Sequence, residues 1–121
     1  LIALMGAMHM ALLGPEGLEK LALRVTASTR AAVDAVLSLE GVELVEPGSK
    51  VFREFAVRLP GPAREALSAM EDAGVIGGFD LGRWWPEMSD CLLIGCDEGT
   101  TESDISHLSR SLGDWVAGVE R

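Results

Sequence analysis

The sequence predicts an α+β domain, a mostly antiparallel sheet covered by helices. Three observations carry this. Residues Phe52 to Leu59 alternate, with Phe55, Val57 and Leu59 on one face and Glu54, Ala56 and Arg58 on the other. One wet face is the mark of an antiparallel sheet. Cys91 to Cys96 is a continuous apolar run, the pattern of a strand buried on both faces. Long stretches on either side repeat their apolar residues at helical spacing. Strands and helices segregate along the chain, which favours layers of α+β type.

The elements follow in order. Residues 1 to 13, LIALMGAMHMALL, form an apolar helix that Gly14-Pro15 breaks. Pro15 suits the first turn of the next helix. That helix carries Leu18, Leu21, Ala22, Val25, Ala32, Val33, Val36 and Leu37 on one stripe and ends before Gly41. Val42 to Leu44 make a short strand, and Pro47-Gly48 a turn. Pro60-Gly61-Pro62 stops the alternating strand. Pro62 starts a helix with Ala63, Ala66, Leu67 and Met70 inward, capped by Gly74. Val75-Ile76 is read as a very short strand before a Gly-rich loop. After Cys96, Asp97 to Thr100 turn the chain. Thr101 and Asp104 make a capping box for the last helix, whose inward stripe is Ile105, Leu108, Leu112, Trp115, Val116 and Val119.

At 121 residues the chain is one domain. Nineteen acidic against ten basic residues give a formal charge of −9. Nucleic-acid binding rests on phosphate neutralisation by Lys and Arg, so this balance excludes it as the expected role. It equally disfavours an anionic membrane surface. The apolar start is shorter than the ~20 residues a membrane span needs, and no basic segment precedes it as in a signal peptide. The chain does not begin with Met, and a fragment of a larger protein is expected. Cys91 and Cys96 point to opposite faces of one strand, so they do not pair; reduced thiols fit a cytoplasmic protein.

The stretch Gly77 to Cys96, GGFDLGRWWPEMSDCLLIGC, is the most informative. Gly77, Gly78 and Gly82 allow backbone angles that other residues resist. A special loop delivered by a central strand is where binding residues often sit. Gly77, Gly78, Arg83, Trp84 and Trp85 are therefore the candidate ligand or interface loop. Arg83 is able to clamp an oxyanion, or else pairs with Glu87 or Asp90. In extended backbone the two tryptophans face opposite ways, one into the core and one outward as an anchor. Glu54 is expected to pair with Arg53 or Arg58. His107, off the apolar stripe, has no orienting partner to activate Cys91 or Cys96, and His9 lacks a second metal ligand at suitable spacing. No catalytic, cofactor-binding or metal residue is assigned.

Together with FREFAVRLPGP (Phe52 to Pro62) and LLGPEGL (Leu12 to Leu18), this stretch resembles the C-terminal part of glycine dehydrogenase (decarboxylating). This is the P-protein of the glycine cleavage system, and the likeness is to subunit 1 of its two-subunit form. The resemblance implies the small C-terminal domain of the aminotransferase-like, pyridoxal-phosphate fold at residues 14–121. Residues 1–13 would be a remnant of the large domain. It implies an enzyme that condenses glycine with pyridoxal phosphate, releases carbon dioxide and passes the aminomethyl group to the lipoyl arm of the H-protein.

In that family the cofactor lysine lies in the large domain of subunit 2. The two lysines here, Lys20 and Lys50, match no such motif. The expectation is a chain that binds no cofactor and catalyses nothing alone. It would instead help build a subunit interface and an active-site wall beside a subunit 2 that carries the cofactor. The turn CDEGTTESD (Cys96 to Asp104) departs from the family pattern, and no binding role is given to it. With the large domain absent, Leu1, Leu4, Met5, Met8 and Leu12 are expected to drive self-association.

Two other readings are a stand-alone binding module using the Gly77 to Trp85 loop, and the small domain of an ordinary aminotransferase. The latter would need a substrate-clamping arginine near the last strand, and none lies between Arg83 and Arg110.

Overall fold

The computed structural model describes residues 1–119. Its first element is a helical run, α1, over Ile2–Leu37, interrupted at Gly14 by a non-helical backbone with φ 62° and ψ −177°. Only glycine adopts that conformation readily, and Pro15 follows it without needing an N–H partner. The break expected at Gly14-Pro15 is thus present, and two helical segments meet there. The predicted buried stripe starts later than Leu18: the buried residues are Val25, Thr29, Ala32, Val33 and Val36.

Strands β1 (Glu43–Leu44), β2 (Glu54–Arg58), β3 (Phe79–Asp80) and β4 (Cys91–Gly95) form one sheet in the order β1-β2-β4-β3. Every pairing is antiparallel. In the central pair Phe55 lies opposite Ile94 and Val57 opposite Leu92. These four are buried against the helices. Helices α2 (Ala63–Asp72) and α3 (Glu102–Val119) join α1 on that side. The opposite face carries Glu54, Ala56 and Arg58 beside Gly95, Leu93 and Cys91. It is only partly covered: Cys91 is buried, Leu93 half-buried and Gly95 exposed. The expectation that β4 is buried on both faces therefore holds for one face alone.

The short strand expected at Val75-Ile76 does not form, and Ile76 is 98% exposed. Pairing starts three residues beyond, at Phe79 opposite Leu93. The reason is Gly78. Its φ is 144°, and a Cβ placed there would lie 2.3 Å from the Leu93 carbonyl oxygen. The chain has to swing in through a residue without a side chain before it can add to the sheet edge.

Helix α3 begins as its sequence predicts. The Thr101 N–H donates to Asp104 Oδ2 at 2.8 Å, and the Asp104 N–H donates to Thr101 Oγ1 at 3.2 Å. Two orphan amides are satisfied reciprocally. Leu112 and Val116 are buried, and Ile105, Leu108 and Trp115 pack at the edge of the core. Ser109 Oγ donates to the Ala35 carbonyl at 3.2 Å, and the Arg24 guanidinium donates to the Glu98 carbonyl. Both tie α1 to the carboxy-terminal segment. Among the described residues no helix is long and apolar enough to cross a membrane.

Candidate functional site

The loop from Gly77 to Trp85 is fixed from both ends. Gly77 is buried: a Cβ there would sit 2.3 Å from Met70 Cε. The close approach of α2 and the sheet edge, rather than a ligand, accounts for these two glycines. Beyond Asp80, residues Leu81–Arg83 form a 3-10 turn whose start is capped when Asp80 Oδ1 accepts the Gly82 N–H at 2.8 Å. Trp84 and Trp85 N–H both donate to the Leu81 carbonyl, at 3.1 and 3.0 Å. A second 3-10 turn spans Pro86–Met88.

This geometry corrects the reading of the tryptophans. Neither lies in the core: Trp84 is 67% and Trp85 50% exposed. Trp84, at φ −112° and ψ −27°, leaves the extended backbone that would have alternated the pair, while Trp85 keeps it; the loop's buried anchor is Leu81.

Arg83 is exposed. Asp90, one of its two expected partners, is taken by another cation: Arg58 Nη1 donates to both Asp90 carboxylate oxygens. The same contact corrects the expected pairing of Arg58 with Glu54. Burial pushes the Asp90 carboxyl up, but hydrogen bonds from Arg58 and Cys91 outweigh it and hold it below its ordinary value. Burial, then the hydrogen bond to Asp90, pushes the Cys91 thiol up to about 11.

Two concave surfaces flank the loop. One, of about 340 Å³, lies beside Gly77-Gly78 and is lined by Cys96, Thr100, Asp104 and His107 among others. Cys96 and His107 share this cleft, a juxtaposition invisible in their spacing. Burial pushes the Cys96 thiol up, the opposite of what a nucleophile needs. Asp104 is committed to its cap. The other, of about 750 Å³, brings Arg83 together with Arg64 from the first turn of α2, a residue the sequence reading did not single out. Among the described residues no group of three His, Cys, Asp or Glu is placed to hold a metal ion.

One face of an antiparallel four-stranded sheet covered by three helices is the architecture of the small α+β domain of aminotransferase-like, pyridoxal-phosphate enzymes. Two solved structures share it. A NifS-like protein from Rickettsia africae superposes with a TM-score of 0.67 at 11% identity, over 85% of this chain and 31% of that one, a likeness of fold alone. The glycine decarboxylase (P-protein) of the glycine cleavage system, in inhibitor-bound form, superposes with a TM-score of 0.82 at 32% identity, over 93% of this chain and 25% of that one.

In sequence the chain is similar over nearly its whole length to glycine dehydrogenase (decarboxylating) subunit 1. The probable subunit 1 of Desulfovibrio desulfuricans is 39% identical over 113 residues, 93% of this chain and 25% of that protein. That of Thioalkalivibrio sulfidiphilus is 42% identical over 105 residues, 87% of this chain and 23% of that protein. That of Caulobacter sp. strain K31 is 37% identical over 119 residues, 97% and 26% respectively. The chain thus spans about a quarter of the length of the curated relatives it matches. No family model matches it. The resemblance carried by the three sequence motifs holds.

Proposed function

We propose that residues 14–121 serve as the small domain of a cytoplasmic glycine dehydrogenase (decarboxylating) subunit 1, and that residues 1–13 are an apolar helix belonging to its large domain. The domain would form part of an active-site wall and of the interface with a cofactor-bearing subunit 2. The observation that carries this is the joint likeness in fold and sequence, a TM-score of 0.82 with the P-protein structure and 39% identity to a curated subunit 1.

Lys20 and Lys50 are both exposed, one on α1 and one after the Pro47-Gly48 turn. Neither sits in the shielded pocket that a Schiff-base lysine needs. Neither lysine therefore fits as the Schiff-base residue, and no step of the chemistry is assigned to this chain's residues. In the whole enzyme the cofactor would be held by subunit 2, and the lipoylated H-protein would accept the aminomethyl group. This chain's contribution is positional: the loop pinned by Leu81 and Gly78 presents Arg83, Trp84 and Trp85 on a stiff support.

The test uses pull-down of separately expressed, pyridoxal-phosphate-loaded subunit 2, and glycine–bicarbonate exchange by full-length subunit 1 with and without this region. Capture, together with exchange lost on deletion, is expected. No capture and unimpaired exchange would leave a stand-alone binding module as the better reading.

A further inference from the structure

The geometry points to an oxyanion-binding groove between Arg64 and Arg83. It rests on the reading of the Gly77 to Trp85 loop as a contact surface, and it names the chemistry that surface accepts. Both residues line the groove of about 750 Å³ between the start of α2 and the 3-10 turn after β3. Both are exposed. Among the described residues neither has an ion-pair partner: the ion pairs are Arg30 with Asp34 and Arg58 with Asp90. In a chain with 19 acidic and 10 basic residues, two uncommitted arginines in one concavity invert the local sign of charge.

The groove is also stiff. A Cβ on Gly82 would lie 2.5 Å from Ser89 Cα, so the turn and the segment entering β4 are locked together. The Ala63 N–H donates to the Ser89 carbonyl at 2.9 Å, which ties the first turn of α2 to the same point. Asp80 lines the groove as well, but its Oδ1 already accepts the Gly82 N–H. Two planar, permanently charged donors on a fixed frame suit bidentate capture of a carboxylate or phosphate. The anion is either free in solution or carried on an acidic polypeptide.

The experiment is an amide-NMR titration of the 121-residue chain, carrying Leu4→Glu/Met8→Glu to keep it monomeric, with inorganic phosphate and, separately, with hexaglutamate. Saturable shifts at Arg64, Gly82 and Arg83 are expected, weakened about tenfold or more in an Arg64→Gln/Arg83→Gln variant, as loss of charge-assisted hydrogen bonds demands. The exposed Arg110→Gln change on α3 should leave them unaltered. Saturation by phosphate assigns a free anion; saturation by hexaglutamate alone assigns an acidic partner segment. Absence of saturation by both, or saturation that survives the double substitution, overturns the inference. The readout needs no subunit 2, so failure of the capture assay and failure of this groove are separate results.

Discussion

The Arg58 guanidinium and the Asp90 carboxylate close on each other at the end of the β2–β4 ladder, directly beside Cys91. The Cys91 thiol donates to Asp90 Oδ1 at 3.2 Å, so one carboxylate serves both a cation and a buried thiol. This explains the direction of each shift. The carboxylate stays charged, and the thiol, buried next to that negative charge, stays protonated.

The thiol has an alkaline consequence. Its pKa rises from 9.0 to about 11 on folding, so the native state holds the proton more tightly. The stability this provides is full below pH 9.0 and is lost as pH climbs towards about 11. The unfolding free energy from urea titrations should fall across that window by up to about 2–3 kcal/mol, and Cys91→Ala should flatten the fall. A slope unchanged in the variant would count against the assignment. Asp90 acts in the opposite sense: its contribution is present above its unfolded value of 3.8 and is lost as pH drops through that region.

Gly78→Ala should cost about 3 kcal/mol or more, because positive φ and a contact with the Leu93 carbonyl act together. Gly48→Ala is the control, with φ +84° but nothing within 4 Å of the added carbon. It should cost only about 1–2 kcal/mol. Equal losses in thermal unfolding would show that the sheet edge tolerates a displaced Leu93.

Thr101→Ala removes one half of the capping box and should cost about 1 kcal/mol, or roughly 4 °C in Tm. Amide exchange should quicken first at Asp104 and Ile105, whose N–H groups bond to Thr101. Uniform quickening throughout α3 would argue against a local cap.

Trp84→Ala should leave stability within about 0.5 kcal/mol, since the indole is mostly solvent-facing. It should nonetheless weaken capture of subunit 2 about thirtyfold, the effect of a ~2 kcal/mol hot spot. Retained capture with lost stability would reverse the picture and make Trp84 a structural residue.

The isolated chain should self-associate. Leu1, Leu4, Met5, Met8 and Leu12 are all exposed on the first arm of α1. Light scattering should show mass rising with concentration, and Leu4→Glu/Met8→Glu should return a monomer. A concentration-independent monomer in the unmodified chain would rule this out.

What was legible in the sequence is what local chemistry determines. The alternation around Val57, the capping box at Thr101 and the stripe through Leu112 depend on residues a few positions apart, and they appear as read except that Val119, at the end of the stripe, is exposed. What was not legible depends on meetings across the fold. Asp90 chose Arg58 over Arg83 because antiparallel register brings Cys91, its neighbour, opposite Arg58. Val75-Ile76 looked like a strand by residue type, but the sheet edge is reached only through Gly78. The tryptophans were misplaced because they join two 3-10 turns, Leu81–Arg83 and Pro86–Met88, rather than lying in a strand. Arg64 gains interest only from the turn that brings Arg83 to it.

The bend at Gly14 has a mechanical side. Residues 2 to 13 form an arm of roughly 18 Å at about 1.5 Å per residue, joined to the rest of the helix at one left-handed residue where an added Cβ would meet nothing within 4 Å. A rotation of about 10° at that joint carries the tip through about 3 Å, the thickness of a side-chain layer. The choice of one small residue thus sets the aim of every apolar group ahead of it, while the packed half of the helix beyond Val25 stays still.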